Sequence, residues 1–204
     1  VFSLEMSAEH LIMRLLGSQA KVDIKNLRTG ILSSTDWTAL MDAAPQLHDA
    51  PIYIDETPNI SLMELRAKAR RAVSKYNLRL LIVDYLQLIT LNTRRENKQQ
   101  EISEISGSLK ALARELKIPI LALSQLRRLA NEDEKPQLSD LRESGAIEQD
   151  ADVVIFIHSG AEETEKDTHV VDLIVSKQRN GPTGMVEALF LKKYTKFVNY
   201  QRNE

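Results

Sequence analysis

Apolar and polar positions along the chain follow two different periods, which predict strands and helices in turn. Short apolar runs predict strands at residues 1–4, 51–54, 78–84, 118–123 and 153–157. Between them, apolar residues spaced three and four apart predict helices at about 7–17, 35–47, 61–76, 98–117 and 139–150. This alternation is typical of an α/β fold in which helices cover both faces of a mostly parallel sheet.

Individual residues refine the limits and faces of these helices. Gly17 is expected to end the first helix, and Ser61 with Glu64 forms a capping-box pattern at the start of the third. Trp37 and Met41 lie four residues apart on the second helix. This spacing predicts packing in the core in preference to an exposed platform for stacking bases.

The pattern changes in the last quarter of the chain. Longer runs at 168–177 and 185–192 predict two strands joined by the Gly-Pro-Thr-Gly turn at 181–184, and a final strand is predicted at 197–200. The segment 127–136 is charged, contains a proline and predicts a loop. The sequence therefore predicts an antiparallel C-terminal hairpin at one edge of the sheet.

Composition limits the kind of protein this chain can form. With 204 residues, 43% of them hydrophobic, the chain suits a single domain over residues 1–204. A net charge of −2 means that any DNA binding must depend on local basic groups. The chain has no cysteine, four scattered histidines and no apolar run near the roughly 18 residues of a membrane span. These features favour a cytoplasmic protein without zinc, disulfides or membrane contact.

Three predicted strands end in residues suited to the chemistry of a nucleoside triphosphate. Glu5 follows the first strand, Asp84 ends the strand at 78–84, and Gln125 follows the strand at 118–123. The carboxyl ends of parallel strands meet at one edge of a sheet. There, one carboxylate can hold Mg²⁺ through water and a second can polarise the attacking water. Asp at a single strand end is more often a turn cap, but three such ends favour a nucleotide site.

Six blocks of the sequence, in order, resemble the bacterial replicative DNA helicase (DnaB) family. The blocks are VFSLEMS at 1–7, LIVDYLQL at 81–88, LSQL at 123–126, SDLRESG at 139–145, IEQDAD at 147–152 and SKQRNGP at 176–182. The resemblance implies a RecA-like motor domain that uses ATP and Mg²⁺. It also implies a homohexamer that translocates on single-stranded DNA and unwinds duplex at replication forks in the bacterial cytoplasm. Primase and a helicase loader are the implied partners of the parent protein.

The resemblance assigns roles to the strand-end residues and to several basic residues. It implies that Glu5 is the catalytic base, that Asp84 is the Walker B ligand of Mg²⁺ through water, and that Gln125 senses the γ-phosphate. Lys177 and Arg179 lie two apart on a predicted strand, so their side chains leave the same face. The resemblance implies that Arg179 is an arginine finger, assisted by Lys177, in a neighbouring subunit's site. A solvated strand face is the alternative.

Further basic residues are assigned by the same resemblance. Arg14 is implied to approach the nucleotide, with snorkelling to solvent as the alternative. Arg142, Glu143 and Gly145 match the loop that lines the central channel and binds DNA phosphates, and Gly145 permits close approach. Four weaker candidates for DNA binding are interpreted as solvated loop charges: Arg94, Arg95, Arg127 and Arg128.

The chain also departs from the family pattern. None of its seven glycines belongs to a phosphate-binding G-x-x-x-x-G-K-[ST] loop, so we interpret the chain as a truncated motor that does not hydrolyse ATP alone. Gly107 stands mid-helix where the family has arginine, and glycine there costs about 1 kcal/mol. The stretch 159–168 differs from the family and predicts a variable surface loop.

Two other functional classes remain as alternatives. One is another RecA-like ATPase, either a recombinase or a helicase of phage type, and the other is a degenerate motor kept as a non-enzymatic interaction scaffold. The SDLRESG and KQRNGP blocks argue against a recombinase. The intact set of Glu5, Asp84, Gln125 and Arg179 argues against a scaffold.

Overall fold

The computed structural model describes residues 1–91, 97–127, 134–141, 145–165 and 167–200, with the backbone alone for 160–165. The chain divides into two compact units, which are described one at a time. The first comprises Val1–Ala8, Tyr53–Leu129 and Gln137–Asp152, and the second comprises Glu9–Ile52, Ala130–Pro136 and Val153–Glu204. That residues 1–204 act as a single domain stays a prediction.

The strands and helices follow one another along the chain in roughly the predicted order. In the described residues they are β1 (Phe2–Ser3), α1 (Ala8–Ala20), α2 (Ile24–Thr29), α3 (Ser34–Asp49), α4 (Leu62–Tyr76), β2 (Leu81–Asp84), α5 (Lys98–Leu116), β3 (Ile120–Ala122), α6 (Gly145–Asp150), β4 (Val153–Glu165), β5 (Thr168–Gln178), β6 (Gly184–Leu191) and β7 (Lys196–Asn199). Short 3₁₀ turns lie at Leu86–Leu88, Leu138–Asp140 and Lys192–Tyr194.

The first unit is built on a parallel sheet with the strand order β1-β2-β3. Val83 in the central strand is paired with Phe2 on one side and Ala122 on the other. The strand predicted at 51–54 is wrong, because only a single bridge, between Phe2 and Asp55, forms at the outer edge of β1. A neighbour of two residues offers too short a ladder for a full strand to pair along it.

The core of the first unit lies between this sheet and helices α4 and α5. The predicted apolar face of α5 is buried, with Ile102, Ile105 and Leu112 at 0% exposure. Leu65 of α4 and Val83 of β2 are also fully buried in the same cluster. The helical spacing therefore predicted the buried face correctly, because every third or fourth residue returns to the same side of a helix.

The capping box predicted at the start of α4 is half formed. The Ser61 hydroxyl accepts a hydrogen bond from the Glu64 N–H at 3.2 Å, as an N-cap does. The Glu64 carboxylate instead lies 3.5 Å from Lys68 Nζ, one helical turn ahead. The ion pair with Lys68 takes the place of the return bond to the backbone of Ser61.

The second unit contains most of α1, helices α2 and α3, and an antiparallel sheet with the order β4-β5-β6-β7. The sequence predicted only a C-terminal hairpin here, with 153–157 in the parallel sheet. The strand β4 is instead antiparallel to β5, because the chain reverses directly from one into the other. The loop predicted at 159–168 is also wrong, since β4 continues to Glu165 with register shifts between Ser159 and Glu165.

The helices of the second unit depart from prediction at three points. The first helix does not end at Gly17, where a Cβ would collide with Ile24 Cδ1, and continues to Ala20. The short helix α2, with Asp23 as its N-cap, was missed. The predicted core packing of Trp37 and Met41 is wrong, because these side chains are 56% and 67% exposed. None of the helices in the described ranges is long and apolar enough to cross a membrane.

Candidate functional site

The three strand-end residues predicted to act together do lie along one edge of the parallel sheet. Asp84 is the last residue of β2, while Glu5 and Gln125 lie two and three residues beyond the neighbouring strands β1 and β3. The Leu4 N–H donates to the Asp84 carbonyl at 2.8 Å, and the Leu123 N–H donates to the Val83 carbonyl at 2.9 Å. The backbone pairing therefore continues up to this edge from both sides.

The chain turns immediately after Asp84 and is anchored in the core. The Asp84–Tyr85 peptide is cis, and the Leu86–Leu88 turn follows it. Leu86 is 2% exposed, and its N–H donates to the Leu123 carbonyl at 3.0 Å. The half-buried Asp84 carboxylate thus stands on a backbone that is held by both a buried side chain and a neighbouring strand.

Gln87, in the turn after Asp84, binds the main chain of Gln125. Its Nε2 donates to the Ser124 hydroxyl at 2.9 Å and to the Gln125 carbonyl at 3.2 Å. Its Oε1 accepts from the Gln125 N–H at 3.4 Å. One carboxamide therefore positions the backbone of Gln125 relative to Asp84. Sequence reasoning assigned no role to Gln87, and its place three residues after a strand-ending carboxylate was the only available signal.

Glu5 lies in a tight turn after β1. The buried Ser3 hydroxyl closes this turn by donating to the Met6 carbonyl at 2.6 Å. The Ala8 N–H, at the start of α1, donates to the Glu56 carboxylate. Glu5 itself is exposed to solvent. Because its carboxylate is exposed and its turn is held at both ends, Glu5 is suited to act on a water molecule.

Asp55, beside β1, is committed to an ion pair. Its Oδ2 lies 2.9 Å from Lys68 Nζ, and its Oδ1 accepts from the Thr57 N–H at 3.1 Å. Burial alone would raise the pKa of Asp55, but the hydrogen bonds from Lys68 and Thr57 outweigh it and lower this pKa below its ordinary value. The hydrogen bond with Asp55 likewise raises the pKa of Lys68. This carboxylate therefore links the segment that lies beside β1 to helix α4.

The site's capacity for a metal ion rests on Asp84. Among the described residues, no group of three or more His, Cys, Asp or Glu side chains could hold a metal. A single carboxylate at a strand end fits Mg²⁺, which keeps most of its waters and is otherwise bound by substrate phosphates. It does not fit a cation that needs a full set of protein ligands, such as a structural Ca²⁺.

Lys177 and Arg179 lie in the second unit, at the end of β5. Lys177 is opposite Val154 in the ladder, and β5 ends at Gln178. Arg179 is therefore just beyond the strand and is exposed. The predicted placement of both residues on one strand is wrong, because strand alternation does not extend into the turn that begins at Arg179. Arg14 lies on α1 and is also exposed.

The predicted DNA-binding loop falls largely outside the described residues. Arg142, Glu143 and the weaker candidates Arg94, Arg95 and Arg128 all lie outside them. Gly145 is the first residue of α6, and a Cβ there would have nothing within 4 Å. Glycine is thus not required at this position by the packing of the described residues.

Arg127 corrects one interpretation in part: its side chain is 57% exposed, as expected of a solvated loop charge, but it also forms an ion pair. Its Nε and Nη2 donate to Asp140 Oδ1 at 2.9 and 2.6 Å. Asp140 is 5% exposed and also accepts from the Gln137 N–H at 2.8 Å. The Gln137 N–H and the Arg127 guanidinium together lower the pKa of Asp140. Nothing local in the sequence pairs these two residues.

Comparison with known proteins supports the same family as the sequence motifs. The sequence model of the family described as the DnaB-like helicase C-terminal domain matches residues 1–199. The chain is 49% identical to the replicative DNA helicase DnaB of Geobacillus stearothermophilus, over 99% of this chain and 46% of that protein. It is 48% identical to the replicative DNA helicase DnaC of Bacillus subtilis (strain 168), with the same coverage. The chain thus spans about half the length of these relatives.

Solved structures agree in fold. One structure, described as an ATPase domain, has a TM-score of 0.88 and 33% identity, covering 98% of this chain and 73% of that one. A DnaB-like replicative helicase, described with its interactions with primase, has the same TM-score and identity and covers 98% of this chain and 50% of that one. The predicted RecA-like α/β fold class is therefore confirmed.

Proposed function

The chain belongs to the family of DnaB-like helicase C-terminal domains, and from this membership we propose that it is the motor segment of a replicative DNA helicase. The parent protein would hydrolyse ATP to translocate on single-stranded DNA and to unwind duplex at replication forks in the bacterial cytoplasm. The observation that carries the proposal is the common sheet edge of Glu5, Asp84 and Gln125, after three neighbouring parallel strands. Sheet edges of this kind are where α/β proteins bind nucleotides.

Each of these residues has a chemical task in ATP hydrolysis. Glu5 accepts the proton of the attacking water, and Asp84 would hold Mg²⁺ through water. When bound, Mg²⁺ would neutralise charge that develops on the phosphates. The Gln125 amide donates to the γ-phosphate, with its backbone held by Gln87. The exposure of Glu5 and Gln125 supports these tasks, because both must reach substrate or water.

The chain's own residues do not complete the nucleotide site. Its sequence contains no G-x-x-x-x-G-K-[ST] loop to cradle the phosphates, and it spans 46% of its relatives' length. We propose that the phosphate loop belongs to another part of the parent protein. Experiments on activity therefore use that longer protein.

The basic residues of the second unit complete the proposal. Arg179 is proposed as an arginine finger in the site of the next subunit of a homohexamer, with Lys177 assisting and Arg14 near the nucleotide. A finger of this kind stabilises transition-state charge and contributes roughly 10³-fold or more to the rate. Its support is the exposed position of Arg179 at a strand end.

The DNA-binding residues are proposed from the family motif. Arg142, Glu143 and Gly145 are assigned to the contact with single-stranded DNA, through the Arg142 side chain and backbone N–H groups. We expect Arg142→Ala to weaken single-stranded DNA binding and reduce its salt dependence, while ATP binding is retained. Primase and a helicase loader are proposed as partners of the parent protein.

Strand displacement from forked DNA by the parent protein tests the proposed function. We expect ATP-dependent displacement that requires a single-stranded tail, and we expect Asp84→Asn to abolish it in the same protein. A verified ring that hydrolyses ATP and promotes strand exchange without displacement would support the recombinase class. A verified ring without ATP hydrolysis would support the scaffold class.

A further inference from the structure

Arg127 and Asp140 join two segments of the first unit that are 13 residues apart. Two guanidinium N–H groups bind one oxygen of the buried carboxylate, and the Gln137 N–H binds the other. The Arg127 side chain is 57% exposed, whereas that of Asp140 is 7% exposed. Removing Arg127 would leave a buried carboxylate without its positive partner.

A short backbone ladder accompanies this ion pair. Leu126 and Leu141 form an isolated antiparallel bridge, and the Arg127 N–H donates to the Asp140 carbonyl at 3.1 Å. In the sequence, Gln125 comes directly before this bridge, and Arg142 comes directly after it. The proposed phosphate sensor and the proposed DNA-binding segment are therefore each one residue from the Leu126–Leu141 bridge.

The opposite side of Gln125 is also held. The Gln87 carboxamide binds the N–H and the carbonyl of Gln125. In the same turn as Gln87, the Leu86 N–H donates to the Leu123 carbonyl. Hydrogen bonds thus hold Gln125 to the turn after Asp84, and two residues further along the chain Arg127 is bonded to Asp140. The lone bridge between Leu126 and Leu141 is a weak connection by itself. The charge-assisted bonds from Arg127 to Asp140 strengthen it.

We infer that Arg127 is a positioning residue: through Asp140 it couples Gln125 to the segment that begins at Arg142, so that bound single-stranded DNA accelerates ATP hydrolysis. The inference rests on the proposed function and deepens it. Arg127 touches neither ATP nor DNA in this role. Its effect therefore falls on the coupling between two ligands, whose size is typically about 5- to 150-fold.

The test uses the parent protein, with ATPase rates measured without DNA and at saturating single-stranded DNA. For Arg127→Ala we expect a basal rate and a KM for ATP within about twofold of wild type, and DNA stimulation reduced about tenfold. Arg127→Lys, which keeps the charge but not the fork of donors, should recover part of the stimulation. Asp140→Asn combined with Arg127→Ala should be no worse than the more impaired single variant.

Lys110→Ala is the matched control, because it removes another ion pair of the first unit, between Lys110 and Asp152. It should leave stimulation unchanged. Undiminished stimulation in Arg127→Ala would overturn the inference. So would a loss of stimulation that appears only below saturating DNA, because Arg127 would then act as a direct DNA ligand. Strand displacement by a wild type whose ATPase rate is not stimulated by DNA would overturn the inference and leave the proposed function intact, whereas the absence of strand displacement would contradict the proposed function.

Discussion

The sheets of the two units differ in how far their second face is covered: β2 and β4 both bury alternate residues, but the residues between them are half-buried in β2 and exposed in β4. In the first, β2 is buried on alternate residues, with Leu81 at 2% and Val83 at 0% exposure, and its end carries Asp84. In the second, Ile157 of β4 and Val186 of β6 are each 63% exposed. The first unit therefore positions its strand-end residues by its own core, whereas the sheet that carries Lys177 and Arg179 leaves large apolar side chains uncovered.

This difference matches the proposed division of labour. Groups that act within one subunit need a backbone fixed by that subunit, and the hydrogen bonds around Asp84 and Gln125 provide it. A group that acts in a neighbouring site needs an accessible position, as Arg179 has.

The strongest test separates action within a subunit from action across subunits. In the parent protein, Glu5→Gln and Arg179→Ala should each lower the DNA-stimulated ATPase rate by roughly 10³-fold, through loss of the base and of the finger. When the two variants are mixed in equal amounts before the ring assembles, about a quarter of the sites should combine an intact Glu5 with an intact neighbouring Arg179. The steady-state ATPase rate of the mixture should rise accordingly.

Lys193→Ala is the control for the second unit, because Lys193 is paired with Asp167 and has no proposed catalytic task. It should hydrolyse ATP at the wild-type rate. A mixture that stays as inactive as its components would contradict action of Arg179 in the neighbouring site.

The second prediction concerns stability. Leu65→Ala, at a fully buried position of α4, should lower the free energy of unfolding by about 3 kcal/mol, because it removes buried methyl groups and leaves a cavity. Ile157→Ala, at the exposed face of β4, should change it by less than about 0.5 kcal/mol. Urea unfolding followed by circular dichroism measures both. Equal losses would mean that the face of β4 is covered in the folded protein.

The third prediction uses one glycine from each unit. Gly107→Ala should stabilise α5 by about 0.5–1 kcal/mol, because alanine favours a helix and its Cβ would lie 3.8 Å from Asp150 Oδ2, an ordinary contact. Gly30→Ala should destabilise the end of α2 by about 1 kcal/mol, because Gly30 has a φ of 73°. Thermal unfolding compares the two. Effects of the same sign would contradict this assignment.

The smallest expected effects depend on pH and differ in direction between the units. The pKa of Asp55 is lowered in the folded first unit, so its stabilising contribution is present above the unfolded pKa and is lost as acid protonates it. Wild type should therefore lose more unfolding free energy than Asp55→Asn between about pH 5 and pH 2.

Lys193, in the second unit, behaves in the reverse manner. Its hydrogen bond with Asp167 raises its pKa, so its contribution is present below the unfolded pKa and is lost as pH rises through the folded one. Wild type should lose more stability than Lys193→Ala above about pH 10. Parallel pH profiles of wild type and either variant would show that the corresponding ion pair contributes nothing measurable.

Local signals in the sequence accounted for much of the fold. The limits of α3, α4 and α5 were predicted to within about two residues, because helical periods and caps are properties of neighbouring residues. Helix α2 was missed, since six residues are too few for a period to appear. The direction of β4 was also mispredicted, because an apolar run of five residues does not show which strand will pair with it.

The candidate site divides in the same way. Glu5, Asp84 and Gln125 could be selected from the sequence, because each follows an apolar run and the ends of parallel strands meet at one edge. Gln87 and the Arg127–Asp140 pair could not, because their partners are 38 and 13 residues away and belong to other strands or turns.

The sequence by itself determined which residues are proposed to carry the chemistry and which family the chain resembles, because residue type and spacing are present before folding. Only the tertiary structure decided how those residues are held: Gln87 on the main chain of Gln125, and Arg127 on the buried Asp140. The physical reason is that hydrogen bonds and ion pairs depend on distance in space. Residues far apart in the chain come within that distance only once the core has packed.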